Sequence, residues 1–70
     1  MNRSMTWDAL TAECRIIASV EAPRYDGSVP WTVATRFAGK LADVIASGIA
    51  PTQQRAVVTA SGIVDRLIEE

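Results

Sequence analysis

The stretch from Trp31 to Ser47, WTVATRFAGKLADVIAS, carries a large share of the apolar surface and decides the predicted fold. Projected as a helix at about 100° per residue, its apolar side chains cover an arc of roughly 220°, against the ~100° of an ordinary surface helix. Alanines at every fourth position, from Ala34 to Ala46, form a ridge that a second helix can approach closely. The pattern therefore predicts a central helix, at about residues 31–47, with a neighbour on each side.

Two further helices are predicted around it, at about residues 5–21 and 52–69. Pro23 ends the first helix because proline lacks an amide donor. Gly48 is typical of the residue just past a helix, and Thr52 suits a helix N-cap. The sequence therefore predicts an all-α, compact three-helix fold, with residues 1–70 as a single domain.

The first predicted helix has more apolar surface than this fold can bury. A chain of 70 residues is marginally stable alone. Its second apolar face has no mate within the chain, so we expect a homodimer or higher oligomer. The residues assigned to the oligomer interface are Met5, Ala9, Ala12, Ile16 and Val20.

Composition argues against several classes of function. Seven Lys and Arg against eight Asp and Glu give a net charge of −1, whereas nucleic-acid binders usually carry a basic excess. With no histidine and one cysteine, neither a metal site nor an internal disulfide is expected. No apolar run reaches the ~18 residues of a membrane span, and the N-terminal segment has no secretory apolar region. We expect a cytoplasmic protein without a cofactor.

Catalysis is not expected. There is no histidine base, and Cys14 lies among apolar residues that disfavour a thiolate. The four glycines are far apart and form no phosphate-binding loop.

The connection between the first two predicted helices concentrates residue types that dominate binding surfaces. It contains Arg24, Tyr25 and Asp26 and leads to Trp31, with Asp26-Gly27 as a turn signal. Together with the surplus apolar surface, this favours a small non-catalytic protein-binding module. It would act as an inhibitor or adaptor by occupying a surface, and it has the size of proteins that phages and mobile elements encode.

A second interpretation comes from residues 41–58, LADVIASGIAPTQQRAVV. This segment resembles the helix-turn-helix family of DNA-binding proteins, with Gly48 at the position of the turn glycine. The resemblance implies a DNA-binding regulator that reads the major groove with its second helix and touches phosphate with its first. The residues concerned are Thr52, Gln53, Gln54, Arg55 and Thr59 for the groove, and Arg36 and Lys40 for phosphate. An ordinary helical hairpin with a glycine cap fits the same pattern.

A third interpretation uses Arg36 and Lys40 differently. Both lie on the polar stripe of the central predicted helix, where a solvated face is the default interpretation. In a homo-oligomer, several copies around an axis would hold a small anionic or nucleotide ligand.

Overall fold

The computed structural model describes residues 4–69, which form a four-stranded antiparallel sheet followed by one helix. The strands are β1 (Met5–Leu10), β2 (Cys14–Val20), β3 (Val29–Phe37) and β4 (Asp43–Ala50), and the helix is α1 (Gln53–Glu69). The strands lie in chain order across the sheet, β1-β2-β3-β4. Residues 1–3, part of the N-terminal segment assessed for a targeting signal, and residue 70 lie outside the described residues.

The all-α prediction is wrong. The first predicted helix corresponds to β1, a turn and β2, and the predicted central helix corresponds to most of β3 and β4. Only the third predicted helix is present, as α1.

Burial in β2 has the two-residue period of a strand with one covered face, and the two buried residues of β3 share that face. In β2, Ile16, Ala18 and Val20 are buried, and the intervening residues are more exposed. In β3 the fully buried residues are Val29 and Val33. Because β-branched side chains fit a pleated, half-buried surface, alternate burial against α1 outweighs the helical pattern of the alanines.

Side chains fix the turns between the strands. At the β1–β2 turn, the Thr11 hydroxyl accepts from the Cys14 amide and donates to the Cys14 carbonyl, both at 3.0 Å. The predicted Asp26-Gly27 turn is present between β2 and β3, with Gly27 at φ 89°. These short connections place consecutive strands side by side as hairpins.

Helix α1 packs mainly across β2 and β3 and covers one face of the sheet. The amide of Arg55 donates to the Thr52 hydroxyl at 3.2 Å, which confirms the predicted N-cap. The buried apolar residues are Ile16, Ala18, Val20, Val29, Val33, Ala50, Ala56, Ala60 and Val64. Since four of these nine are alanines, the core is small.

Trp31 lies on the covered face and joins the two halves of this core. It stands opposite Gly48 of β4 in the strand register. A Cβ atom added at Gly48 would lie 2.9 Å from Cζ2 of the Trp31 indole. The glycine therefore makes room for the tryptophan ring, and it does not end a helix as predicted.

Candidate binding surface

The face of the sheet opposite α1 has no covering element. Alternation along the strands assigns to it the residues Thr6, Asp8, Leu10, Arg15, Ile17, Ser19, Pro30, Thr32, Ala34, Arg36, Val44, Ser47 and Ile49. We call this set the open face. It has no aromatic residue, so it lacks the stacking platform with which sheets hold single-stranded nucleic acid.

Two neighbouring rows cross the open face from β1 to β4. The register aligns four hydroxyl side chains in one row: Thr6, Ser19, Thr32 and Ser47. The next row consists of Asp8, Ile17, Ala34 and Val44. Because most of these side chains are short, the middle of the open face is flat and can pack against another flat surface.

Large apolar side chains surround this middle. Leu10 is 71% exposed, Val44 62% and Ile49 59%. An antiparallel sheet with one solvated side normally alternates apolar residues inward with polar residues outward. The open face departs from that pattern at both edges of the sheet, with Leu10 on β1 and Val44 and Ile49 on β4.

Strand β4 also forms a free edge of the sheet. From Val44 to Ala50 the sequence VIASGIA has no charged residue and no proline. A bulge at Ile45 interrupts its pairing with β3, because Val33 pairs with Ala46 whereas Ala34 pairs with Val44. Sequence reasoning missed this edge, although an uncharged run rich in β-branched residues followed by Pro51 is a signal for a strand.

The end of the sheet at the β1–β2 turn carries charged residues. Arg15 stands directly opposite Arg36 in the register, and Arg15 also forms an ion pair with Asp8 at 3.5 Å. An open cavity of about 450 Å³ lies between the two turns at this end and is lined in part by Arg15, Glu13 and Phe37. The positively charged residues at this end are Arg15, Arg36 and Lys40. The negatively charged residues are Asp8, Glu13 and Asp43. Three positive and three negative charges cancel, so this end does not favour an anion.

The residues predicted for nucleic acid or an anion do not come together. Arg36 and Lys40 are at this charged end, whereas Thr52 follows β4 at the opposite end. The others, Gln54, Arg55 and Thr59, lie on exposed positions of α1. The helix-turn-helix geometry is wrong because Asp43–Ala50, which includes most of its first helix, is a strand. DNA binding without a helix-turn-helix stays an untested prediction.

The predicted partner-binding group is divided. Arg24, Tyr25 and Asp26 share the β2–β3 turn, where Tyr25 is fully exposed, but Trp31 packs in the core. The hydroxyl of Ser28 donates to Oδ1 of Asp26 at 2.7 Å, and the Ser28 amide donates to the same atom at 3.0 Å. These bonds lower the pKa of the Asp26 carboxyl because they stabilise its charged form.

The residues predicted for the oligomer interface do not form a continuous surface. Ile16 and Val20 are buried beneath α1, so neither is available to a partner. Met5 and Ala9 lie on β1, and Ala12 is in the β1–β2 turn. The surplus apolar surface is on the open face and the β4 edge instead.

Among residues 4–69, no group of three or more Cys, Asp or Glu residues could hold a metal ion. Within the same residues, no helix is long and apolar enough to cross a membrane.

Comparison of the chain with protein-family models, with curated proteins and with solved structures finds no match.

Proposed function

We propose that the protein is a small non-catalytic binding module that self-associates through its sheet and acts as an adaptor or inhibitor by occupying a protein surface. The observation that carries the proposal is the open face, which no element covers and which has Leu10, Val44 and Ile49 all more than half exposed. A cytoplasmic location belongs to the proposal, and the free thiol of Cys14 fits a reducing compartment.

The size of the core supports self-association. The fully buried large side chains are Ile16, Val20, Val29 and Val33, and no aromatic ring is among them. Domains this small commonly need a staple, a metal or a second subunit. With one cysteine in the sequence and no metal cluster in residues 4–69, a second subunit is the remaining source of stability.

The dimensions of the open face suit a modest interface. Four strands about 4.8 Å apart and about seven residues long, at ~3.4 Å per residue, give a plane of roughly 19 by 24 Å. Standard interfaces bury about 800 Å² per partner, so a sheet face of this size supplies a large part of that area.

The test is the solution mass as a function of concentration, measured by light scattering on a sizing column. The chain has a mass of 7.5 kDa, and we expect about twice that value at high concentration. Replacing both Val44 and Ile49 by Thr should raise the dissociation constant at least tenfold, because the substitution keeps β propensity and removes apolar contact.

The matched control is Val58→Thr on α1. Val58 is 61% exposed, nearly the same as Val44 at 62%, but it lies away from the sheet. This variant should dimerise as the unmodified chain does. Monomeric mass for the unmodified protein up to about 1 mM would refute the proposal, as would equal loss of dimer in the control.

A further inference from the structure

The free edge of β4 has few of the features that protect an edge strand from pairing. In the sheet order β4 has a neighbour only on the β3 side. Helix α1 packs mainly on β2 and β3, less on β4 and less still on β1, so it covers neither edge strand fully. Every second residue of an edge strand points its backbone N–H and C=O groups away from the sheet, where they can pair with another strand.

The two edges of the sheet differ in how they are protected. β1 is six residues long and carries Asp8, whose charge is held on the strand by the ion pair with Arg15 at 3.5 Å. Soluble proteins commonly use charge, proline or a bulge to prevent edge pairing. Between Val44 and Ala50, β4 has only the bulge at Ile45.

We propose that a second copy of the chain pairs with β4 in antiparallel orientation, with the two-fold axis at Ser47, to form a continuous eight-stranded sheet. This inference rests on the proposed function, since it specifies how the self-association occurs. In such a dimer the two open faces form one continuous surface across the eight strands.

The register follows from the sequence of the strand. With the axis at Ser47, residues 45–49 pair with residues 49–45 of the partner, all within the uncharged, proline-free run and ending at the bulge. Asp43 then lies beyond the paired residues and not opposite a like charge. Only the axis at Ser47 places Ile45 of one copy opposite Ile49 of the other.

Side-chain sizes fit the same arrangement. The middle of the ladder consists of Ala46, Ser47 and Gly48, which are small enough for close approach. On either side, Ile49 stands opposite Ile45 of the second copy, and the two are 59% and 46% exposed in the single chain. Pairs of β-branched residues across strands stabilise a sheet.

The test is disulfide trapping at the two-fold axis. Residues directly opposite in an antiparallel pair have Cα atoms about 4.5–5.5 Å apart, within the range that a disulfide spans. In a Cys14→Ser background, Ser47→Cys should form a covalent dimer under mild oxidation, seen on a non-reducing gel. The matched control is Thr32→Cys, which faces the same side one strand further from the edge.

The outcomes separate this inference from the proposed function. A dimer in solution with trapping at Ser47 and not at Thr32 is the expected result. Trapping at Thr32 and not at Ser47 would overturn edge pairing and indicate that the open faces pack against each other, which leaves the proposed function standing. A monomeric unmodified chain would overturn both.

A second pair of variants does not depend on oxidation. Ser47→Lys places two ammonium groups next to each other at the axis and should weaken dimerisation at least tenfold. Thr6→Lys makes a comparable change in the same hydroxyl row at the opposite edge and should not weaken dimerisation. Circular dichroism of each variant monitors folding, and equal weakening in both would refute the edge assignment.

Discussion

Gly48→Ala should destabilise the protein because of one contact. The added Cβ would lie 2.9 Å from Cζ2, 3.0 Å from Cε2 and 3.1 Å from Nε1 of Trp31. The ring is rigid and lies between the two clusters of the core, so relief requires movement of the indole or of β4. Overpacking of this kind costs about 1–3 kcal/mol.

A smaller effect of Gly48→Ala on the free energy of unfolding has the opposite sign. Replacing glycine by alanine restricts the unfolded chain and stabilises by about 0.4–1 kcal/mol where the backbone permits it. Gly48 does not have a positive φ, so this term applies in full. The net loss in the free energy of unfolding is therefore about 1–2 kcal/mol, which lowers the Tm by roughly 5–15 °C for a domain of this size.

The assay is urea denaturation followed by tryptophan fluorescence, with Gly62→Ala as the matched control. Gly62 lies in α1 and has nothing within 4 Å of an added Cβ. That variant should gain about 0.5–1 kcal/mol, because alanine is the better helix former. The two substitutions make the same chemical change and should shift stability in opposite directions.

A double variant with Trp31→Leu tests whether the indole ring causes the loss of stability in Gly48→Ala. In the Trp31→Leu background the ring is absent, so Gly48→Ala should lose most of its penalty, with a coupling energy of about 1 kcal/mol or more. A Gly48→Ala variant as stable as the unmodified protein would refute the reasoning. So would an undiminished penalty in the Trp31→Leu background.

The remaining predictions concern local polar contacts. The Asp26 carboxyl should titrate below its ordinary pKa of 3.8 by NMR, and Ser28→Ala should raise that midpoint toward 3.8. Because the folded-state pKa is depressed, this contact stabilises above pH 3.8 and its contribution disappears as pH falls through the folded pKa; an unchanged midpoint in the variant would contradict this cause. Thr52→Ala should lower the free energy of unfolding by about 1 kcal/mol through loss of the cap on the Arg55 amide, whereas Thr52→Ser should retain it; equal stability of the two variants would exclude a role for the hydroxyl.

Helix α1 was predictable from the sequence because local and tertiary signals agree there. Pro51 and Thr52 mark its start, and a cap hydrogen bond forms as expected. The residues buried along it are Ala56, Ala60 and Val64, which repeat every four positions. The Asp26-Gly27 turn was predictable for a similar reason, since glycine adopts the positive φ that the turn requires.

The strands were not predicted because alanine, which favours helices and is depleted in strands, is frequent in these segments. In the segment from Trp31 to Ser47, Ala34 and Ala46 sit on a helical ridge, yet they occupy adjacent strands that pair through β-branched neighbours. Ile17 of β2 breaks the alternation that Ile16 and Ala18 would otherwise show. Strand identity here depends on partners far along the chain, and single-segment periodicity does not report them.

The candidate surface was missed for the same reason. Ile16 and Val20 were assigned to an interface because a helix would have exposed them, whereas the sheet buries both. The expectation of surplus apolar surface was derived from a helix that is absent, although the short chain and its high apolar content also favour it. Self-association stays a prediction, and Val44 and Ile49 are now the residues expected to contribute to it.

Synthesis order gives the topology a consequence during translation. All four strands precede α1 in the chain, so the hairpins leave the ribosome before the helix that covers them. Hairpins form within about 1–10 μs, whereas translation at about 5–20 residues per second needs roughly one to three seconds to add a 17-residue helix. Until α1 has emerged and packed, the nascent sheet exposes both of its faces to water. The nascent chain is therefore most susceptible to chaperone binding, proteolysis and aggregation before α1 covers the sheet.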